Sequence, residues 1–355
     1  MQICRDSHPG KPPGVPAGGA GSGPFCRNIR PPANRLEWWA MRLALRLMET
    51  ALAFARDPEQ AMARGIAVMR RIARLHLRHI DAAGLCWPYL DGGRGETIVL
   101  LHGYGADKDR FGSLSPFLRR RYRLVIPDLP GFGGHAALRH LDYGITAQVE
   151  RLDAFMRRVG LKRFHLFGAS LGGYAAALYA ARFPRKVISL GLMAPAGITA
   201  PECSDALRFF QQTGRNIFLY TSTEGVDELI DFLIHRPFAL PRRIKHFWAR
   251  SARENLTRRQ KIIDDLVAGG LTMLDDRAAK IQAPTLLLWG ANDRICHVSS
   301  VQALLRLIPD CRAYVFHSCG HIPLVEYPGA CRFLYGRFVE RVALDHAPVQ
   351  RPHKR

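Results

Sequence analysis

Apolar residues follow two rhythms along this 355-residue chain. Short, nearly unbroken apolar runs occur at Thr97-Ile-Val-Leu-Leu101, Tyr122-Arg-Leu-Val-Ile126, Phe164-His-Leu-Phe167, Val187-Ile-Ser-Leu-Gly-Leu-Met193 and Thr285-Leu-Leu-Leu-Trp289. Bounded by Gly, Pro or Asp, they read as strands covered on both faces. Between them the spacing changes to three and four, as in Ile145, Val149, Leu152, Met156 and Val159, which mark one face of a helix. Strand alternating with helix predicts an α/β chain with a mostly parallel sheet flanked by helices, starting with a strand near 85–90 and ending with Cys311–Phe316. After Pro195 the alternation stops, residues 198–280 pattern as helix, and Pro284 marks the return to the sheet.

Ahead of the sheet, residues 36–56 repeat Leu36, Trp39, Leu43 and Leu47 at helical spacing, and residues 61–80 repeat Ile66, Met69, Ala73, Leu77 and Ile80. The expected organisation is a tail at 1–35, amphipathic helices at 36–84, a first core segment at 85–197, a helical cap at 198–280, a second core segment at 281–342 and a basic tail at 343–355. Residues 8–24 are almost entirely Pro, Gly, Ala and Ser, a composition with too little apolar surface to order itself.

Charge changes the picture more than size does. The formal net charge is +21, and between 36 and 80 eight arginines face four acids. Residues 236–261 add nine basic side chains against Glu254 alone. No helix-turn-helix, zinc finger or RNA-binding aromatic motif accompanies this charge, so nucleic acid is not an expected partner. A basic helix pair suits peripheral contact with an anionic membrane; packing of those helices on the catalytic domain and a genome-wide arginine bias are the competing readings. The opening Met-Gln-Ile-Cys-Arg-Asp lacks the apolar stretch of a secretion signal, and no apolar run is long enough to span a bilayer. A cytoplasmic protein, peripheral on the inner face of the membrane if it touches one, is expected. The eight cysteines show no paired or zinc-like spacing, so they are expected as reduced thiols, with no metal and no cofactor.

The candidate chemistry sits just beyond strand ends. Phe164–Phe167 runs into Gly168-Ala-Ser170-Leu-Gly172, a strand-to-helix turn that lifts Ser170 clear and puts the Leu171 amide at a helix N-terminus. Thr97–Leu101 ends in His102-Gly103, where the Tyr104 amide is the second candidate donor to an oxyanion. Asp293 follows Thr285–Gly290, and His321 follows Cys311–Phe316. Serine, acid and histidine thus succeed one another as nucleophile, orienting carboxylate and general base. Asp128 is the rival acid, better suited to tying down a loop; His102 is a rival base by its position alone; and Glu326 is expected to anchor the histidine loop. Phe209, Phe210, Phe218 and Trp248 are the candidate acyl-pocket residues of the cap.

These motifs carry a family resemblance. HGYGADKDRF (102–111), PDLPGFG (127–133), GASLGGYAAALYAARFP (168–184), the Ala-Pro-Ala-Gly turn (194–197), WGANDRI (289–295) and CGHIPLVEYP (319–328) resemble an α/β-hydrolase-fold serine hydrolase, most closely the monoacylglycerol lipase and esterase branch. The resemblance spans about 85–340. It implies the α/β-hydrolase fold with a cap inserted after the sixth strand, a triad of Ser170, Asp293 and His321, and hydrolysis of carboxylic esters, with a small-molecule ester or lipid such as a monoacylglycerol as substrate. A carbon–carbon bond hydrolase of aromatic-ring degradation, an acyltransferase, and a catalytically silent binding protein are the alternatives on the same scaffold.

Overall fold

The computed structural model describes residues 26–27, 58–135, 140–237 and 239–345. Eight strands carry the architecture: β1 (His76–Ala82), β2 (Leu85–Gly92), β3 (Thr97–Leu101), β4 (Arg123–Pro127), β5 (Phe164–Ala169), β6 (Val187–Met193), β7 (Thr285–Gly290) and β8 (Cys311–Phe316). They lie in the order β1-β2-β4-β3-β5-β6-β7-β8. The β1–β2 and β2–β4 pairs are antiparallel, and every pair from β4 to β8 is parallel. This is the α/β-hydrolase sheet that the motifs implied.

The central strands β3 to β7 are buried on both faces because they are apolar at almost every position rather than at alternate ones. In β3, Ile98 and Leu100 join a cluster with Phe111, Leu118, Phe338 and Val339, while Val99 and Leu101 join another with Leu152, Phe155 and Tyr179. Helices α2 (Ile145–Arg158) and α3 (Leu171–Arg182) supply the second cluster, and the C-terminal helix Pro328–Asp345 the first. In α3 the run Ala175-Ala-Ala177 is fully buried, and side chains no larger than a methyl let this helix lie close against the sheet.

Between β6 and β7 the described residues hold helices and no strand: α4 (Asp205–Thr213), α5 (Thr223–Leu233), α6 (Arg242–Glu254) and α7 (Leu256–Ala268). The cap has a small core of its own, with Val226, Ile230, Ile234, Leu240 and Ala249.

The N-terminal region departs from the helical reading of 61–80. Helix α1 covers Pro58–Ile72 and stops; Leu75 N–H reaches back to Arg70 O, and Arg74 takes a left-handed φ of 45°. Residues 76–82 are then the edge strand β1, joined to β2 through Ala83 and Gly84, both with positive φ (50° and 73°). Two successive positive φ values make the tight turn that fits the twist of a hairpin. The helical spacing of Leu77 and Ile80 was ambiguous over so few residues, and the free edge of β2 decided it by offering a ladder of hydrogen bonds. Helix α1 is fastened to both its neighbours: Arg70 pairs with Asp109 through two hydrogen bonds of 2.7 and 2.6 Å, and Arg250 of α6 reaches Glu59 at 3.1 Å.

Cys26–Arg27, within the stretch expected to be a tail, forms a two-residue strand parallel to β8, opposite Ala313 and Tyr314. The helix expected over 36–56 lies outside the described residues, as do most of the two expected tails.

Candidate active site

The serine turn is built by close backbone approach. β5 delivers Ser170 at φ 52°, ψ −118°, and α3 starts at the next residue. A positive φ at a residue with a Cβ costs on the order of 1–3 kcal/mol, so the surroundings must enforce it. They do so from three sides: Ser170 N–H donates to Met193 O of β6 at 2.9 Å, and Ser170 O accepts from Tyr174 N–H at 2.9 Å and Ala196 N–H at 3.2 Å. The flanking glycines are obligatory. A Cβ on Gly168 would lie 2.2 Å from Gly172 O, and one on Gly172 would lie 2.3 Å from His102 O. The Ser170 side chain does not cap α3, so its hydroxyl is not consumed by the helix that it begins.

The candidate acid and base stand on neighbouring loops beyond β7 and β8. His321 Nδ1 donates to Asp293 Oδ2 at 2.8 Å, while Asp293 Oδ1 accepts from the backbone N–H groups of Ile295 (2.8 Å) and Cys296 (2.9 Å). Both side chains are buried. With each carboxylate oxygen engaged, Asp293 is held in one orientation and in turn fixes the imidazole, leaving Nε2 as the nitrogen open to a reacting group. The loops are laced together by Ala291 N–H to Phe316 O (2.8 Å) and Asn292 N–H to Cys319 O (2.9 Å). Ser170 Oγ makes no hydrogen bond among the described residues; catalytic contacts of this kind commonly tighten only when substrate is bound.

The loop after β3 brings the last part. A Cβ on Gly103 would sit 3.2 Å from Ser170 Cβ, so this loop passes directly over the serine. Among the hydrogen bonds of the described residues, neither the Tyr104 nor the Leu171 amide has a backbone acceptor. His102 is fully buried; its Nε2 accepts from Leu129 N–H at 2.9 Å, which puts the proton on Nδ1, where it is donated to Gly103 O at 2.8 Å. Burial pushes its pKa down, so the ring is a neutral strut and has no lone pair left for base chemistry. Asp128 is likewise committed, accepting from Lys108 Nζ, Lys108 N–H and Gly134 N–H, each at 2.8 Å. The buried ion pair with Lys108 escaped sequence reading; a lysine in a polar loop gives no local sign that it will be buried, and its partner is twenty residues away.

The four cap aromatics are scattered. Phe218 lies against the Tyr104 ring, with centroids 5.1 Å apart. Phe209 packs on Phe232 at 5.6 Å, Trp248 packs on the cap's own core, and Phe210 is exposed. Tyr104 joins cap and oxyanion loop, since its hydroxyl donates to Arg259 O of α7 at 3.0 Å. Burial pushes the thiols of Cys296 and Cys319 well up, so neither is an activated nucleophile.

Comparison with known proteins supplies the wider frame. The alpha/beta hydrolase fold family model matches residues 96–328. The chain is 31% identical over 237 residues to Lipase 3 of Moraxella sp. (strain TA144), covering 66% of this chain and 75% of that protein. It is 30% identical over 273 residues to the monoacylglycerol lipase ABHD6 of Homo sapiens, covering 73% and 80%. Among solved structures, a membrane phospholipase A described as a bacterial virulence factor superimposes with a TM-score of 0.77 at 32% identity, covering 86% of this chain and 98% of that one. A meta-cleavage product hydrolase from Pseudomonas fluorescens IP01 matches with a TM-score of 0.62 at 23% identity, a likeness of fold alone.

Proposed function

Because this chain belongs to the alpha/beta hydrolase fold family and is an ester hydrolase, we propose that it cleaves lipid-like esters, monoacylglycerols among them, through an acyl-enzyme on Ser170. What supports the reading is the strained Ser170 turn together with the buried Asp293–His321 pair, all of them beyond the C-terminal ends of parallel strands. Ser170 Oγ attacks the ester carbonyl and its proton passes to His321 Nε2. The negative charge that develops on the carbonyl oxygen meets the amides of Leu171 and Tyr104, whose preorganised dipoles need no rearrangement in the transition state. Collapse breaks the bond to the alcohol, which leaves with the proton from His321. Water, deprotonated by the same nitrogen, then releases the carboxylic acid and restores Ser170. Asp293 holds the imidazole in the required tautomer and stabilises it when charged.

Similarity to lipases and monoacylglycerol lipases supports a lipid ester substrate. So does Phe218, an apolar ring beside the residue that carries the second oxyanion amide. Labelling with a fluorophosphonate, followed by a panel of p-nitrophenyl esters and monoacylglycerols, tests both parts. Stoichiometric labelling of Ser170 and turnover of long-chain monoacylglycerol are expected; absence of labelling in active protein would refute the nucleophile.

Peripheral contact with an anionic membrane on the cytoplasmic side completes the proposal. No described helix is long and apolar enough to cross a bilayer. Helix α1 and the start of β1 instead expose Val68, Met69, Ile72 and Leu77 among Arg64, Arg71, Arg74 and Arg78. The Arg250–Glu59 pair sets the basic helix α6 beside them. Each basic residue near an anionic surface contributes about 1 kcal/mol, screened within a Debye length of about 8–10 Å. Co-sedimentation with phosphatidylglycerol vesicles is expected at low salt and loss of it at high salt; equal binding to neutral vesicles would overturn the electrostatic account.

A further inference from the structure

One short stretch of the cap, Asp231–His235 at the end of α5, touches both the acid loop and the base loop. On the acid side the contact is Arg294, which follows Asp293. Arg294 Nη1 donates to Asp231 O at 3.2 Å, its guanidinium lies 4.3 Å from the centre of the Phe232 ring, and its Nε donates to Asp205 Oδ2 at 2.8 Å. On the base side, the N–H of His321 itself donates to Leu233 O at 2.8 Å. Two residues further along the cap, His235 N–H donates to Glu326 Oε2 at 3.1 Å, while Glu326 Oε1 accepts from Gly320 N–H at 2.6 Å. The fit allows no side chain at 320: a Cβ there would lie 2.7 Å from Leu233 O and 2.8 Å from His235 N.

We propose that Glu326 is a positioning residue for His321, acting as a clamp that seats the histidine loop on cap residues 231–235, with Arg294 fastening the other end of the same stretch to the acid loop. The proposal rests on the reading of Ser170, Asp293 and His321 as the triad. Glu326 is buried, and each of its oxygens serves a backbone N–H from a different segment. Two backbone donors on one carboxyl group fix its orientation, and through it the spacing of the two segments. Neither segment has regular structure at the contact, so the carboxylate substitutes for a ladder that the loop lacks. Its consequence is catalytic rather than only structural, because a misplacement of about 1 Å in a reacting group costs on the order of a hundredfold in rate.

Glu326→Gln keeps size and one acceptor oxygen but turns an amide N–H₂ toward one of the two backbone N–H groups. In full-length protein with an unchanged near-ultraviolet circular dichroism spectrum, kcat for p-nitrophenyl butyrate is expected to fall about 10–100-fold with KM within threefold. The second-order rate of fluorophosphonate labelling should fall in proportion, since both depend on the base; loss of kcat and kcat/KM together marks an interaction expressed in the transition state. A folded variant with wild-type kcat and labelling, or with KM raised and kcat unchanged, would overturn the clamp. Arg294→Gln, at a half-exposed site, decides the matter if Glu326→Gln does not fold: a 3–10-fold loss of kcat with the same split is expected, and wild-type rates would overturn the proposal. If wild-type protein hydrolyses ester without labelling Ser170, the triad reading itself fails; if it labels and both variants behave as wild type, only the clamp does.

Discussion

A serine, a histidine and a carboxylate gather at both ends of the strands of this sheet. At the C-terminal ends stand Ser170, His321 and Asp293. Toward the N-terminal ends His165 Nδ1 lies 2.8 Å from Ser189 Oγ and its Nε2 lies 3.4 Å from Glu96 Oε2. By residue type and distance the second trio is the more complete, because it already has a serine–histidine bond. What it lacks is everything around the side chains. Ser189 is fully buried inside β6, where a register shift between Phe164 and Leu166 of β5 brings it opposite His165, and its hydroxyl is used up in that contact. Glu96 is half-exposed and so gives little orientation to the ring. The Asp293 pair is buried, and Ser170 opens the N-terminus of a twelve-residue helix. The two trios therefore differ in backbone strain, free amides and access rather than in residue type.

The largest expected break between the two trios comes from removing each serine. Ser170→Ala should lower ester turnover on the order of a million-fold, since triad members act as a unit. Ser189→Ala should leave turnover per folded molecule within twofold and cost about 1 kcal/mol of stability, the net worth of a buried hydrogen bond. Steady-state kinetics and urea unfolding on the two purified variants check both. Equal losses of activity would abolish the distinction.

Next in size is the choice of carboxylate. Asp293→Asn should lower kcat about ten-thousandfold, because an amide favours the wrong histidine tautomer. Asp128→Asn should act on stability instead, by on the order of 3 kcal/mol, because it removes the close partner of the buried Lys108 ammonium and leaves it only Asp109 at 3.9 Å. Turnover normalised to the folded fraction separates the two; a larger kcat loss in the Asp128 variant would reverse the assignment.

A smaller effect sharpens the comparison among histidines. Burial pushes His102 and His135 down, so each is neutral in the fold yet titrates near 6.5 in the unfolded chain. The unfolded state therefore takes up protons first, and stability drops as pH falls below about 6.5. Scanning calorimetry should find the melting temperature several degrees lower at pH 5.5 than at pH 7.5, and His135→Asn should reduce that difference by about 2–4 °C. An unchanged difference would show that His135 does not carry it.

Much of this was legible before any coordinates, for reasons that differ by region. Gly168 and Gly172 declare the elbow because no other residue fits there, and the runs at 97–101, 164–167 and 285–289 declare buried strands because they are apolar at nearly every position. Illegible were the contacts whose partners lie far apart along the chain. Lys108 and Asp128, Arg294 and Asp205, and Glu326 and His235 are paired by the topology, and nothing local to either member announces the other. β1 was hidden for a related reason: its exposed residues His76, Arg78, His79 and Asp81 are polar and carry little apolar signal, and it is a strand only because β2 has an edge to share.

The bond from Tyr104 to Arg259 O has a consequence for how such an enzyme diversifies. In this chain the cap is no interchangeable module: a replacement would have to return one carbonyl beneath the Tyr104 hydroxyl and another, that of Leu233, beneath the His321 amide. New specificity is thus cheaper to reach by point changes on the inner walls of the existing cap than by transplanting a foreign one, and a transplant should forfeit rate on every substrate alike before its new preference becomes visible.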